Sequence, residues 1–293
     1  MELKSKKLFI TALARDCETN LVSNINHINK LRTFFAESYI LIVENDSKDN
    51  TKSILNDWSL KEKNIKIISN NYGTKTIPVK AKGKLLPGTS YERISKMTKY
   101  RNIYLDYLNT LNESIDYVLI IDIDIAFFST EGIMKAIQNS PKDWGALFAY
   151  GTSRLNLFGM HLFPIFYDTY AYLGEKEDFN NLKQSSKRRR HLQRTLSIKL
   201  LFKKYFKCKS SFGGIAIYKR VVLTNIKYQC IPNKFNTDSE VHCEHLPLNY
   251  DIIQKGYNNY ICKDLEVKYG NYNINFLIDF LLFNIPSIIF KKF

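Results

Sequence analysis

The first 122 residues alternate short apolar runs with segments of helical period, and the last run ends in an aspartate. Leu8 to Ala14 reads as a buried strand, and Leu21, Ile25, Ile28 and Leu31 then recur at helical spacing. Tyr39 to Val43 is a second strand, followed by a short helix through Leu55 and Trp58, and Ile65 to Ser69 is a third. Residues 72 to 89, rich in Gly, Lys and Pro, read as a mobile loop. A helix with Ile94, Met97, Tyr104, Leu108 and Leu111 on one stripe precedes a strongly apolar strand, Tyr117 to Ile121. Such alternation implies right-handed crossovers and a largely parallel sheet flanked by helices, an α/β fold. A further helix is expected from Ser129 or Thr130, and later strands at Ala146–Ala149, Phe212–Tyr218 and Tyr260–Val267.

The residues able to carry chemistry gather at the predicted strand ends, where open α/β sheets bind ligands. Ile121-Asp122-Ile123-Asp124 sets two carboxylates one residue apart, an arrangement that is costly unless a cation compensates it. A hard divalent ion with oxygen ligands would do so and would bridge a diphosphate, while the bland alternative is a pair of capping or loop acids. Glu44 and Asp46 end the second strand and can accept hydrogen bonds from a nucleobase or ribose. Ser47, Asp49 or Asn50 just beyond are ordinary helix caps. Arg101 falls on the apolar stripe of its helix, so it needs a partner: Asp122 as a salt bridge, or a donor diphosphate. Cys243-Glu244-His245 offers a metal ligand or a satisfied core histidine, with Glu244 as a general base for an acceptor hydroxyl. Gly213-Gly214 fits close backbone approach to a ligand or an ordinary bulge.

Charge is distributed unevenly. The net charge is +15, and eleven of the 43 Lys and Arg, but none of the 28 acids, lie between Lys183 and Lys209. There the cations interleave with Leu192, Leu196, Leu200, Phe202 and Phe206, as a basic amphipathic insertion suited to an anionic membrane surface. The stretch from Phe276 to Phe293 is very apolar but interrupted by Asp279, Asn284 and Pro286, and reads as an interfacial anchor. Five cysteines without Cys-x-x-Cys spacing suggest a reduced, cytoplasmic protein, and the apolar run after Lys4, Lys6 and Lys7 reads as a first strand rather than a signal peptide. A nucleic-acid-binding protein would leave the paired aspartates unexplained, and a sugar nucleotidyltransferase would want a glycine-rich loop after the first strand, where Ala12 to Glu18 has none.

Taken in order, Ala14-Arg15-Asp16, Glu44 to Thr51, Lys99 to Asn102, Ile121 to Asp124, Tyr167-Asp168-Thr169, Ser211 to Ala216 and Cys243-Glu244-His245 resemble the GT-A glycosyltransferases. Within them they resemble the capsule-associated α-mannosyltransferases first known from fungi, over roughly residues 7 to 270. The resemblance implies a GT-A domain over 1–270; the basic insertion at 183–209 is not part of its pattern, and 271–293, which it does not match, reads as a membrane-associating tail. It implies a UDP- or GDP-sugar donor, Mn2+ or Mg2+ at Asp122 and Asp124, and base or ribose contacts near Arg15, Glu44 and Asp46, to which the residue readings add His245 as a metal ligand and Arg101 and Asp122 as donor contacts. Asp168 faces donor or acceptor sugar in that scheme, beside Glu244. The expected acceptor is a lipid-linked or surface-polysaccharide glycan of capsule or lipopolysaccharide type, met at the inner face of the cell membrane; no nucleic-acid partner is expected.

Overall fold

The computed structural model describes residues 3–75, 77–78, 85–157 and 160–272, so most of the expected tail and part of the 72–89 loop lie outside the described residues. The first half runs β1 (Lys7–Ala14), α1 (Glu18–Arg32), β2 (Glu37–Asn45), α2 (Thr51–Lys61) and β3 (Ile65–Asn70). It continues through α3 (Tyr91–Thr110), β4 (Tyr117–Asp122), β5 (Phe127–Phe128) and α4 (Thr130–Gln138). The second half runs β6 (Trp144–Leu157), β7 (Met160–Phe166), β8 (Leu173–Gly174), α5 (Ser186–Lys199), β9 (Tyr205–Ser210), β10 (Ile215–Lys219), α6 (His245–Gln254) and β11 (Asn258–Tyr272). The eleven strands of the described residues join one sheet, ordered β3-β2-β1-β4-β10-β6-β11-β9-β8, with β5 paired to β11 and β7 to β6.

The parallel half is where apolar runs are continuous. β1 pairs in parallel with β2 and β4, and β2 with β3. A strand covered on both faces needs apolar residues at every position, and period-2 alternation then sorts them. Phe9, Leu41, Val43, Val118 and Ile120 pack toward Tyr104, Leu105 and Leu108 of α3. Leu8, Ile10, Ile40, Ile42, Leu119 and Ile121 pack the other way, against Leu21, Ile25 and Ile28 of α1, Leu55 of α2 and Ile133 of α4. Each such side chain contributes about 1.5–3 kcal/mol on full burial. A one-residue slip would exchange the two sets, so the register is strongly specified.

Parallel order stops at β4. β10 runs antiparallel to both β4 and β6, and β11 lies parallel to β6 but antiparallel to β9. The carboxyl end of β4 therefore meets the entry of β10, and the Asp122 N–H donates to the Gly214 carbonyl at 2.8 Å. The glycine pair makes this junction possible. Gly213 and Gly214 have φ of +67° and +91°. A Cβ on Gly213 would collide with the Ala149 carbonyl, and one on Gly214 would come within 2.7 Å of the Tyr269 hydroxyl. The close approach is thus between protein segments around the cleft floor.

The basic segment divides in two. Residues 186–199 form α5, whose Ser185 hydroxyl accepts from the Arg188 amide as N-cap, and whose Leu196 is buried in the α3-side core with Leu200 just beyond. Residues 205–210 are instead a strand of the sheet, β9, paired with β11. Helical spacing through Leu192, Leu196 and Leu200 continues only that far; from Tyr205, sheet pairing takes over.

Gly213→Ala is expected to cost about 1–3 kcal/mol, since an L-residue at that φ is strained before the collision with Ala149 is added. Thermal unfolding should show a fall of several degrees in Tm. An unchanged Tm would mean the β4–β10 junction relaxes freely.

Candidate active site

The carboxyl ends of β1, β2 and β4 open into a cleft of about 680 Å³. Its floor is the turn after β4. Ile123 and Ile125 tuck into the core while Asp122 and Asp124 line the cleft, the alternation putting both carboxylates on one side. The turn is pinned from α1: the buried Asn24 amide donates to the carbonyls of Ile123 and Ile125, both at 2.8 Å, and Asn20 donates to that of Asp124 at 2.8 Å. A polar residue inside the Leu21–Ile25–Ile28 stripe was the sequence signal for this clamp, and periodicity alone passed over it.

Behind the floor lies Arg101, only 4% exposed. Its Nε donates to Glu244 Oε1 at 2.9 Å, its Nη1 to the Tyr104 hydroxyl at 3.3 Å, and its Nη2 stands 3.8 Å from Asp122 Oδ1. The guanidinium also lies over the rings of Phe212 and Tyr228, at 5.4 and 5.7 Å. Of the two partners expected for this buried cation, Asp122 is in place at the longer distance; the carboxylate bonded directly, Glu244, was not expected. Burial opposes ionisation of Glu244, but Arg101 holds its carboxyl below the ordinary range. Asp122 goes the other way. Burial, then Asp124 and Asp168, push it up to about 7 against the pull of Arg101. Asp168 is raised by burial although the amides of Gly213 and Ala171 donate to it, at 3.2 and 3.3 Å.

His245 starts α6 and is 2% exposed, lying flat on Phe212 with centroids 4.1 Å apart. Neither ring nitrogen has a hydrogen-bond partner among the described residues, although the ring lines the cleft. Burial and then Arg101 push its pKa down to about 3, so it is neutral imidazole. Asp122, Asp124 and His245 thus share one cleft, but among the described residues no three His, Cys, Asp or Glu side chains are grouped as a formed metal cage.

At the other rim, Arg15 lines the cleft, donates to the Thr74 carbonyl at 2.9 Å and lies 3.9 Å from Asp46. Asp46 accepts from the Gly73 amide at 2.7 Å and from Asn45 at 3.2 Å. These bonds, against burial, keep its carboxyl low. Glu44 does not line the cleft. It is fully buried one layer behind, accepting from the Ser47 amide at 2.8 Å and from the Ser69 hydroxyl, and so locks the turn that carries Asp46.

Several lining residues were not singled out from sequence. Tyr269 donates to Asp122 Oδ2 at 3.2 Å and stacks on Tyr167 at 3.9 Å. Met97 and Tyr100 extend the Arg101 face of α3 together with Arg93, which the sequence did offer as a weaker candidate of the same kind as Arg101, and Ser186, Arg189, Arg190 and Gln193 face the cleft from α5. The α5 residues fall at i, i+3, i+4 and i+7, one stripe of a helix, a pattern hidden by the uniform charge of the run.

A half-parallel sheet with an Asp-x-Asp turn on the floor of a cleft at its strand ends is the architecture of the GT-A glycosyltransferases. A family model described as Cryptococcal mannosyltransferase 1 matches residues 7–250, and the chain belongs to that family. Among solved structures, GalNAc-T7 with UDP, GalNAc and Mn2+ superposes with a TM-score of 0.51 at 11% identity, over 92% of this chain and 44% of that one. TarS of S. aureus, residues 1–349 with UDP-GlcNAc, gives 0.49 at 12% identity, over 91% of this chain and 59% of that one. The mannosyltransferase PcManGT of Pyrobaculum calidifontis, with GDP-Man and Mn2+, gives 0.47 at 12%, over 90% and 56%. This chain therefore spans less than two thirds of each of these structures. No curated protein sequence matches it.

Arg101 faces two carboxylates, whereas Glu244 faces one guanidinium. Arg101→Met is expected to cost about 3–5 kcal/mol, the range for stranding buried charge. Glu244→Gln should cost clearly less, because Arg101 keeps Asp122 and Tyr104. Urea unfolding of both variants checks this, and equal losses would mean that the Asp122 contact adds nothing to stability.

Proposed function

We propose that the chain is a nucleotide-sugar-dependent glycosyltransferase, a hexosyltransferase of mannosyl-transferring type. The observation that carries the reading is the pair Asp122 and Asp124 on the cleft floor, set against an unpartnered buried imidazole, His245. Three carboxylates crowd one another there, enough to raise Asp122 toward neutrality, and that crowding favours a cation. Two carboxylates suit Mn2+ or Mg2+, and a neutral imidazole beside them favours Mn2+ of the two. Asp122 and Asp124 would hold the ion and His245 would complete its protein ligands. When bound, the ion supplies Lewis-acid stabilisation for a departing nucleoside diphosphate.

The chain's own groups divide the remaining work. Tyr269 and Arg101 orient Asp122 from two sides. Arg15, supported by Asp46, offers a cation at the rim for the donor's nucleoside, and Tyr100, stacked on Tyr72 at 5.4 Å, lends it an aromatic wall. Glu44 serves that rim indirectly through the Asp46 turn. Asp168 is the carboxylate suited to a sugar hydroxyl, because its pKa is raised and its geometry is fixed by two amides. Glu244 acts through Arg101 as a positioning residue.

For the acceptor we infer a lipid-linked or surface-polysaccharide glycan of capsule or lipopolysaccharide type, met by a peripheral protein at the inner face of the cell membrane. Among the described residues no helix is long and apolar enough to cross a membrane. Phe202 is 81% and Ile198 58% exposed beside Lys199, Lys203 and Lys204, a combination suited to an anionic interface. The expected domain at 1–270 and tail at 271–293 belong to the same reading.

Two measurements test it. Thermal shifts with UDP, GDP and CMP, with and without Mn2+, should show stabilisation by one nucleotide only with the metal, by several degrees at saturating ligand. Asp122→Asn/Asp124→Asn should abolish that shift. No shift with any nucleotide, alongside stabilisation by RNA or lipid, would make the chain a binding module instead. Cosedimentation should pellet the protein with anionic and not zwitterionic vesicles. Equal pelleting of a variant lacking 270–293 and carrying Lys199→Ala, Phe202→Ala and Lys203→Ala would sink the membrane reading.

A further inference from the structure

The cleft has two poles of opposite charge, and the metal reading uses only one. At the acidic pole Asp122 and Asp124 line the floor, with Arg101 at 3.8 Å from Asp122. The basic pole comes from two helix faces that meet across the cleft. On α3, Arg93, Met97, Tyr100 and Arg101 lie at i, i+4, i+7 and i+8. At 1.5 Å per residue, Arg93 sits about 12 Å along the helix from Arg101. On α5, Arg189 and Arg190 line the same cleft with Ser186 and Gln193. The two faces converge on Tyr170, which also lines it. Arg189 lies 5.4 Å from that ring's centroid, and the fields of both Arg189 and Arg93 reach the phenol, whose pKa burial raises.

Arg93 and Arg189 are hydrogen-bonded to neutral groups. Arg93 Nη1 donates to the Gly88 carbonyl at 3.0 Å, and its buried Nε has no partner. Arg189 Nη1 donates to the Ser239 hydroxyl, a neutral group, at 2.8 Å. Asp238 balances Arg189 in part, but its oxygens accept from the Ser186 amide at 2.9 and 3.2 Å. The phenol hydrogen of Tyr170 is directed to the Val241 carbonyl at 2.8 Å. By contrast Arg188, on the opposite side of α5, is held by both oxygens of Glu177 at 2.8 Å and by the Tyr172 carbonyl at 3.0 Å. The helix thus turns Arg188 to Glu177 and lines the cleft with Arg189 and Arg190.

We propose that Arg93, Arg189 and Arg190 form an anion subsite for a phosphate group on the acceptor, at or beside the accepting sugar. Guanidinium forks suit phosphate, and three converging on one end of a cleft would discriminate strongly against a neutral glycan. The subsite stands on α3 and α5 and the acidic pole on the turn after β4, and on that ground we place it apart from a donor diphosphate held at Asp122 and Asp124. Its assignment to the acceptor rests on the transferase reading; its preference for phosphate does not.

Calorimetric titration with mannose 6-phosphate, mannose 1-phosphate and mannose tests this, first in EDTA and then with saturating nucleotide and Mn2+. The expected result is binding of at least one sugar phosphate and not of mannose, unaffected by the nucleotide. Arg189→Gln/Arg190→Gln and Arg93→Gln should each weaken it about tenfold or more, with nucleotide affinity unchanged. Lys183→Gln/Lys187→Gln, an exposed pair outside the cleft, removes the same charge as the double variant and should have little effect. Tighter binding of the 1-phosphate would mark a phosphate that joins the accepting sugar to a carrier, and of the 6-phosphate one that decorates the sugar. Competition with the nucleotide, weaker nucleotide binding in the Arg189/Arg190 variant, equal losses in the lysine control, or no preference over mannose would each overturn the proposal. Sugar-phosphate binding without any nucleotide binding would instead retain the subsite and discard the transferase reading.

Discussion

A single buried guanidinium holds the centre of this molecule together. Arg101 reaches Glu244 at the start of α6, Asp122 at the end of β4, and the rings of Phe212 and Tyr228. Those contacts come from four separated parts of the chain. Burying such a charge is costly, and the cost is recovered only while its partners stay in place. The cleft floor is therefore coupled to the core. Asp122 cannot shift far without weakening Arg101, and Arg101 cannot leave without stranding Glu244. Electrostatics thereby fixes the geometry of the cleft floor in a region where the sheet itself changes direction.

The same coupling explains how carboxylates so close together are tolerated. Asp124 and Asp168 raise the pKa of Asp122, while Arg101 and the Tyr269 hydroxyl lower it. Burial dominates, and the carboxyl sits near neutrality. Such a site is poised: a divalent cation would tip it to the ionised state, and without one it can take up a proton. Glu244 experiences the opposite balance because Arg101 is at hydrogen-bond distance rather than 3.8 Å away. About one ångström separates a carboxylate that serves structure from one available to a ligand.

Sequence reading reached the parallel half of the fold almost strand by strand, because strands buried on both faces leave unbroken apolar runs and the helices between them leave stripes. It reached Asp122, Asp124 and Arg101 for the same reason, as charges standing where those patterns predict none. It could not see the second half's pairing. β6, β9, β10 and β11 interleave in an order far from chain order, and such pairing is set by contacts distant in sequence. Nor could it separate Glu44 from Asp46. They stand two residues apart, where alternation alone would give them one face; but β2 stops at Asn45 and Asp46 has a φ of +54°, so the chain turns and leaves Glu44 in the turn lock and Asp46 at the rim. Tyr269 and Tyr170 carried no signal, since one tyrosine among 19 in a chain gives no hint of which hydroxyl meets a carboxylate.

The basic helix shows how composition can mislead about placement. As a run of cations it suggests an appended, solvated surface element, but Leu196 and the following Leu200 are buried with the α3-side core and Arg188 is clamped by Glu177. A helix anchored on two sides cannot rotate freely, so its remaining directions are fixed. One presents Arg189, Arg190 and Gln193 to the cleft, and its far end presents Ile198 and Phe202 to solvent. An element that both walls the reaction cleft and exposes apolar and cationic groups at the surface connects the two regions physically. In the proposed reading, a carrier-bound acceptor resting on that surface would need to extend only along one helix to reach Asp168. On that proposal the uneven charge of the chain belongs to the route into the cleft, and the nearly balanced remainder to the scaffold that holds it.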